Sequence, residues 1–217
     1  MMIRLICLLI GYLFGLFQTA FFLGKAKGID IRQHGSGNSG TTNTLRVLGT
    51  KAGLIVFFGD CVKAILAVTL VRILFAGRYP ELEYLLCIYT GAGVILGHNY
   101  PFYMNVTGGK GIAATAGMVI AFHPYFTIVG ILVFFIPFFI THYVSLCSLL
   151  VYTTLMIMMV VYGQLGGFPN MSQGALIEMY ILFGCLMLLA IWKHKENVKR
   201  LLKGEERKTY LSKKNQV

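Results

Sequence analysis

Seven apolar stretches constrain this chain most, because most of them are long enough to cross a bilayer as helices. The first, residues 2–23, would be about 33 Å long as a helix, and a hydrocarbon core is about 30 Å thick. The alternating ten-residue segments of a membrane β-barrel do not occur. The pattern predicts an all-α integral membrane protein, a bundle of seven transmembrane helices that includes short or broken ones. The other stretches are residues 52–76, 84–96, 112–122, 125–140, 143–163 and 174–192.

The composition supports this prediction. Hydrophobic residues make up 57% of the chain and charged residues 12%, whereas soluble domains carry about 25% charged residues. A soluble chain of this size could not bury so much apolar surface, so a soluble enzyme, a disordered tail and a secreted disulfide scaffold are excluded. No repeat or linker divides the chain, and we expect a single membrane domain over residues 1–217.

The basic residues predict an orientation. The formal net charge is +11, and Lys and Arg concentrate in residues 25–51, in the tail after Trp192 and, with Lys110, in residues 97–111. Cytoplasmic loops collect Lys and Arg. We therefore expect a multi-pass protein of the cell membrane with its N-terminus outside and these three segments, with the C-terminus, in the cytoplasm. If stretches four and five form a re-entrant pair, five crossings give the same orientation.

Three features within the apolar stretches stand out. Asp60 and Lys63 are three residues apart on the second stretch, so they can pair on one helix face. Such a pair indicates either a functional site or a contact that holds the helices of the bundle together. His123-Pro124 ends the fourth stretch, and Pro137 predicts a break in the fifth.

The first polar segment, residues 35–46, is rich in glycine and hydroxyl side chains. It contains G-x-G-x-x-G, but a dinucleotide site would need a preceding strand, and an apolar helix precedes it here. Such a segment can present backbone N–H groups to an anion. Thr41, Thr42 or Asn43 could cap the following helix, with Arg46 in its first turns. An ordinary flexible loop with a helix cap is the alternative.

The second polar segment places three glycines and one lysine directly before a helix start, at Gly108, Gly109, Lys110 and Gly111. Backbone N–H groups and a helix dipole hold phosphate in this arrangement. It is not a Walker A loop, because Lys110 precedes glycine rather than Ser or Thr. The segment predicts an anion site, and a glycine-rich re-entrant turn is the alternative.

The third polar segment follows the last stretch. Helical spacing places His194, Asn197 and Leu201 on one face, and Gly204 fits a helix end. A basic tail lying on anionic lipid is the alternative.

Together, the three segments resemble the PlsY family of bacterial acyl-phosphate:glycerol-3-phosphate acyltransferases. The Asp60–Lys63 pair and the run 143–146 are also similar to the family. This sequence departs from the family at Ser39, where proline is usual, and at Ala64, where glycine is usual. The matching positions are Gly35, Ser36, Gly37, Asn38, Gly40, Thr42, Asn43 and Arg46; Gly97, His98, Pro101, Gly108, Gly109, Lys110 and Gly111; and His194, Glu196, Asn197, Arg200, Leu201 and Gly204.

The resemblance implies a compact seven-helix enzyme that moves a fatty acyl group from acyl phosphate to the 1-hydroxyl of glycerol 3-phosphate. The products would be lysophosphatidate and phosphate, in the first step of phospholipid synthesis. Membrane lipid and the soluble enzyme that makes acyl phosphate are the further partners expected; no nucleic acid, cofactor or metal is implied. The implied catalytic residues are Ser36, Arg46, Lys110, His194 and Asn197, and the implied substrate-binding residues are Gly37, Asn38, Thr42, Asn43, Gly108, Gly109, Gly111 and Ser145.

The residues fit this chemistry. None of the five histidines has an Asp five residues later, so the His-x-x-x-x-Asp mechanism of other glycerophosphate acyltransferases does not apply. Acyl phosphate is already activated and needs no acyl-enzyme; binding two anions with the hydroxyl near the carbonyl can suffice. By resemblance, a substrate phosphate is the base and His194 orients the hydroxyl. His194 is the alternative base, because the ordinary pKa of histidine suits that role. A transporter or channel for phosphorylated solutes is the alternative function, although no inverted repeat supports it.

Overall fold

The computed structural model describes residues 1–211, and this part of the chain contains α-helices and short 3-10 turns but no strand. The predicted all-α class is therefore confirmed. The single-domain assignment stays a prediction, and residues 212–217 lie outside the described residues. The helices are α1 Met2–Gly15, α2 Thr19–Ala26, α3 Thr41–Leu48, α4 Thr50–Phe75, α5 Glu83–Asn99, α6 Ile112–Phe122, α7 Pro124–Thr141, α8 Val144–Gln164, α9 Gln173–Lys193 and α10 Lys195–Leu202.

Five segments of the described chain are long and apolar enough to cross a membrane. They are Met2–Ala26, which includes α1 and α2, and the helices α4, α7, α8 and α9. Helix α5 has 17 residues and α6 has 11, so each is shorter than a typical span. Every predicted stretch is helical, and the number of crossings, seven or five, stays a prediction.

The first apolar stretch is not one continuous helix, because it breaks between α1 and α2. Gln18 occupies the break and is fully buried, with its amide nitrogen donating to the carbonyl of His98 at 2.9 Å. The Lys63 ammonium donates to the carbonyls of Gly15 and Phe17, at 3.3 and 2.6 Å. The break leaves these carbonyls without a hydrogen-bond donor from their own helix. A side chain from another helix supplies the hydrogen bonds, as buried backbone carbonyls require.

The expected break at Pro137 is wrong: α7 continues through this residue to Thr141. Proline removes one backbone donor, but neighbouring groups often compensate for this in a membrane helix. The Pro137 carbonyl accepts a hydrogen bond from the Thr141 hydroxyl at 2.8 Å. The helix ends only at His142, whose φ of 60° is left-handed.

Glycines let α1 and α5 approach closely. A Cβ on Gly11 would meet the Thr90 carbonyl, and a Cβ on Gly15 would meet that of Val94. Gly93 and Gly97 of α5 lie equally close to the backbone of α1. Small residues four apart are a common means of packing membrane helices, and here they bring α5, with the loop that follows it, next to the broken first span.

Candidate functional site

A cavity of about 860 Å³ joins the three polar segments to the apolar face of three helices. Its polar end is formed by residues from the segments 35–46, 107–111 and 192–207. Its apolar end lies between α6, α7 and α8. The segments are far apart in sequence, so the helix bundle alone brings them together, on one side of the molecule.

The amide of Asn43 holds the first segment in shape. Its Oδ1 accepts from the Ser36 backbone N–H at 2.7 Å, and its Nδ2 donates to the carbonyls of Ile31 and His34 at 3.1 and 3.0 Å. Asn43 is 2% exposed. Its side chain therefore belongs to the loop and leaves the Ser36 hydroxyl beside the cavity.

The predicted side-chain cap of the following helix is wrong. Helix α3 begins at Thr41 with Gly40 as its N-cap, and no side chain accepts a capping hydrogen bond there. Asn43 is committed to the loop, and the Thr41 hydroxyl is buried without a hydrogen-bond partner among residues 1–211. Arg46 lies in the last turn of this short helix and lines the cavity.

The glycine loop is bound to the end of α5. The N–H groups of Gly108 and Gly109 donate to the carbonyls of Asn99 and His98, both at 3.1 Å. A Cβ on Gly109 would collide with the His98 imidazole. Gly111 has a φ of +77° directly before α6, a conformation that glycine adopts without strain. The loop is thus held at the N-terminus of α6, where the helix dipole favours an anion.

Lys110 meets the third segment across the cavity. Its ammonium donates to Oδ1 of Asn197 on α10, and His194 lies beside it at the junction of α9 and α10. Residues from two distant segments therefore present an ammonium, an amide and an imidazole at one place. Leu201, predicted on the same face as His194 and Asn197, does not line the cavity.

The protonation state of His194 follows from its contacts. Its Nδ1 lies 2.8 Å from the Ala190 carbonyl, so Nδ1 carries the proton and Nε2 is an acceptor. Burial, followed by the Lys110 charge, lowers the pKa of His194 to about 4. A neutral imidazole can accept a hydrogen bond from a substrate hydroxyl, but it is a weak base at this pKa.

The other charged groups of the polar end are partly desolvated. Burial lowers the pKa of Lys110 to about 8, with Glu206 opposing the shift and Arg200 adding to it. Burial also lowers the pKa of Arg46, although a guanidinium remains protonated. A site with these cations in reduced dielectric attracts anions more strongly than exposed lysines do.

Glu206 is a buried carboxylate at the polar end, and the sequence did not predict its role. It is 8% exposed. Its Oε1 accepts from the Ser145 hydroxyl at 3.1 Å and from Asn197 Nδ2 at 2.7 Å, and its Oε2 accepts from Arg200 Nε at 2.8 Å. The sequence feature that could have indicated this role is an acidic residue soon after Gly204 within a basic tail.

The chain after Glu206 also folds back onto the site. The Arg46 guanidinium donates to the Thr209 hydroxyl at 2.8 Å and to the Arg207 carbonyl at 3.2 Å. The Thr209 backbone N–H donates to the His142 carbonyl at 2.9 Å. The alternative of a tail lying wholly on lipid therefore does not describe Arg207 and Thr209, whereas contact of the exposed Lys208 with anionic lipid stays a prediction.

The predicted Asp60–Lys63 pair forms inside the bundle and includes a third group. Lys63 Nζ lies 2.9 Å from Asp60 Oδ1 and 2.9 Å from His98 Nδ1, and Thr19 donates to the same carboxylate at 3.1 Å. Asp60 and His98 reach the cavity wall. The pair thus links the broken first span to the end of α5, where the glycine loop begins.

Twelve of the thirteen predicted site residues line the cavity. Gly109 is the exception, because it packs on the His98 ring instead. The twelve are Ser36, Gly37, Asn38, Thr42, Asn43, Arg46, Gly108, Lys110, Gly111, Ser145, His194 and Asn197.

Residues 5–204 match the model of the glycerol-3-phosphate acyltransferase family. The chain belongs to this family. A glycerol-3-phosphate acyltransferase of Alkaliphilus metalliredigens is 38% identical over 208 residues, which are 95% of this chain and 96% of that protein. One of Thermosipho melanesiensis is 37% identical over 202 residues, which are 92% of this chain and 90% of that protein.

Solved structures of the glycerol-3-phosphate acyltransferase family share the fold. The crystal structure of PlsY, an integral membrane glycerol 3-phosphate acyltransferase, in its glycerol 3-phosphate form has a TM-score of 0.81 and 31% identity. The alignment covers 95% of this chain and 96% of the PlsY chain. The lysophosphatidic acid form has a TM-score of 0.79 at the same identity. This chain is therefore a membrane acyltransferase, as predicted.

The two departures from the family pattern lie in different environments. The Ser39 side chain is fully buried, and its hydroxyl has no hydrogen-bond partner within the described residues. Ala64 is fully buried in the core on α4. An unpartnered buried hydroxyl costs about 1–3 kcal/mol, so Ser39 is the less favourable of the two substitutions.

Proposed function

We propose that this protein transfers a fatty acyl group from acyl phosphate to the 1-hydroxyl of glycerol 3-phosphate. The products are 1-acylglycerol 3-phosphate (lysophosphatidate) and phosphate, in the first step of phospholipid biosynthesis. The observation that carries the proposal is the continuity of the cavity, which joins a cationic end to an apolar arm between α6, α7 and α8. Family membership supports the same assignment.

The two ends of the cavity fit two parts of the reaction. Ser36, Arg46, Lys110, His194 and Asn197 offer donors and positive charge to the phosphate and hydroxyls of glycerol 3-phosphate. The N–H groups of Gly108 and Gly109 hold the loop on α5, and the backbone N–H groups that begin α6, with the helix dipole, are offered to the acyl phosphate head. The acyl chain occupies the apolar arm, where contact with CH₂ groups stabilises it by about 0.8 kcal/mol for each one buried.

The remaining predicted residues act on the same two substrates. Gly37 and Asn38 line the wall of the cavity with Thr42, and Asn43 keeps the Ser36 loop in place. Ser145 also lines the cavity and donates to Glu206. We assign these residues to substrate binding rather than to chemistry.

The chemistry needs no covalent enzyme intermediate. The 1-hydroxyl oxygen forms a bond to the acyl carbonyl carbon, the bond between that carbon and the phosphate oxygen breaks, and phosphate leaves with the electron pair. A substrate phosphate takes the hydroxyl proton. His194 is neutral, with Nε2 as an acceptor, and orients the hydroxyl; its pKa of about 4 makes it a poor general base at neutral pH.

Purified protein in detergent, without vesicles, provides the test. We expect phosphate release from acyl phosphate only when glycerol 3-phosphate is present, and no lysophosphatidate when the donor is acyl-CoA or acyl-loaded carrier protein. Asn197→Ala should be impaired, whereas Lys208→Ala, at an exposed position outside the cavity, should match the wild type. A transporter for phosphorylated solutes would catalyse nothing in detergent, so an inactive wild-type protein would refute the proposal.

We also propose that the site and the C-terminus lie in the cytoplasm and the N-terminus lies outside. Access to membrane lipid and to a soluble enzyme that makes acyl phosphate fits this orientation. A cysteine introduced at Lys208 should be shielded from an impermeant thiol reagent in intact cells, and one at Arg78 should be labelled. The unmodified chain, in which Cys185 is exposed, measures the background. Labelling at Lys208 would place the site outside.

A further inference from the structure

The apolar arm of the cavity has a definite depth. On α8, its wall runs from Ser145 at the polar end to Leu155, a rise of about 15 Å along the helix axis. On α7, the lining residues recur at three- and four-residue intervals, so one face of that helix forms the opposite wall. The arm is therefore long enough to take most of a fatty acyl chain in extended form.

An aromatic cluster closes the deep end of the arm. Phe122 and Phe126 are each 1% exposed, with ring centroids 5.3 Å apart. Phe168 lies 5.7 Å from Phe122, and Tyr162 lies 5.8 Å from Phe126. None of these four rings lines the cavity. Phe122 follows Ile120, the last lining residue of α6, and Phe126 directly precedes Thr127, the first lining residue of α7. The rings therefore lie just beyond the lined part of the arm and form its floor.

Gly130 of α7 lies on the wall above this floor. A Cβ built on Gly130 would have Val119 Cγ1 as its nearest neighbour, at 4.0 Å. A side chain at residue 130 would therefore meet open space here, with Val119 as its nearest neighbour. Val119 lies two turns into α6, about 10 Å from the loop that holds Lys110. Gly130 therefore borders the distal part of the acyl chain, far from the reacting carbonyl.

We propose that Gly130 determines acyl-chain-length selectivity, by leaving room beside Val119 for the distal methylenes of a long acyl chain. The inference rests on the proposed function, since the acyl chain of acyl phosphate is the occupant. A branched side chain at this position would fill the arm between Val119 and the aromatic floor. A long chain would then lose its distal contacts, whereas a short chain ends before it reaches Gly130.

The test compares two donors on Gly130→Leu. The kcat/KM for butanoyl phosphate and for hexadecanoyl phosphate is measured with saturating glycerol 3-phosphate in detergent micelles. We expect the hexadecanoyl-to-butanoyl ratio to fall at least about tenfold, because even one misfitting methylene in an apolar pocket costs about 10-fold or more. Butanoyl transfer should stay within about threefold of the wild type. Gly130→Ala should shift the ratio in the same direction by less, and it keeps the test available if the Leu variant does not fold.

Gly184→Leu is the matched control. Gly184 is also a half-buried glycine within a membrane helix, α9. A Cβ there would have Met156 Cε as its nearest neighbour, again at 4.0 Å. It does not line the cavity. The same added volume at this position should leave the ratio of the two donors unchanged.

Three results would overturn the inference. They are an unchanged ratio in active Gly130→Leu, an equal loss with both donors, and a shift of the same size in Gly184→Leu. A wild-type protein that releases no glycerol 3-phosphate-dependent phosphate from either donor would instead refute the proposed function, and the acyl chain as occupant with it. The two failures are therefore distinguishable.

Discussion

Lys110→Ala is the change that tests the polar end of the cavity most directly. Lys110 stands in the glycine loop, immediately before α6, and its ammonium contacts Asn197 Oδ1. The backbone N–H groups of the loop and the helix dipole remain after the substitution. Any loss of activity therefore reports on the ammonium itself, rather than on the loop.

The expected loss is large because the ammonium is partly desolvated. In a transition state that carries phosphate negative charge, one charge-assisted contact in such a site contributes about 3–4 kcal/mol, by comparison with removal of an oxyanion donor. This corresponds to roughly 10²–10³ in kcat/KM. Lys110→Arg should restore little activity, since the planar guanidinium of arginine does not replace a compact ammonium in a narrow loop.

The assay is phosphate release with both substrates, together with size-exclusion and thermal unfolding profiles. Lys208→Ala is the matched control, because it removes an equal charge from an exposed position outside the cavity. The fold should persist in Lys110→Ala, since the side chain faces a polar cavity and not the apolar core. A monodisperse, stable Lys110→Ala protein within about threefold of wild-type activity would refute the anion site and favour a simple glycine-rich turn.

Three further predictions follow from particular groups. Because Lys110 has a pKa of about 8 and binds anions only when protonated, kcat/KM should fall as the pH rises through about 8. A flat profile to pH 10, or the same fall in the residual activity of Lys110→Arg, would contradict this. Ser39→Pro should leave kcat/KM equal or higher and raise the Tm, since it removes an unpartnered buried hydroxyl and restricts the unfolded chain; inactivity in folded protein would show that this loop differs from the family's. Glu206→Gln should cost about 1–3 kcal/mol of stability and raise the KM for glycerol 3-phosphate, because the amide cannot accept from both Asn197 and Arg200 as the carboxylate does; an unchanged Tm and KM would mean that these contacts are dispensable.

The sequence alone determined the class of the protein and pointed to most of the residues that line the polar end of the cavity. Apolar length and low charge permit few solutions for a chain in lipid, because every backbone polar group must be satisfied within a helix or a closed barrel. The sequence also indicated two local patterns. The glycine loop at Lys110 precedes a helix start, where phosphate commonly binds, and the spacing of His194 and Asn197 places both residues on one helix face. The thirteen site residues themselves came from the family resemblance, and twelve of them line the cavity.

Only the tertiary structure decided the features that depend on contacts between distant segments. The break at Gln18 is stabilised by Lys63 of another helix, and α7 continues through Pro137 despite a residue that usually ends helices. Gly109 packs on His98 instead of facing the cavity, and Glu206 joins the site through partners on α8 and α10. Local sequence does not identify the partners in such pairings, because they depend on which helices pack together and on which buried polar groups must then find a partner.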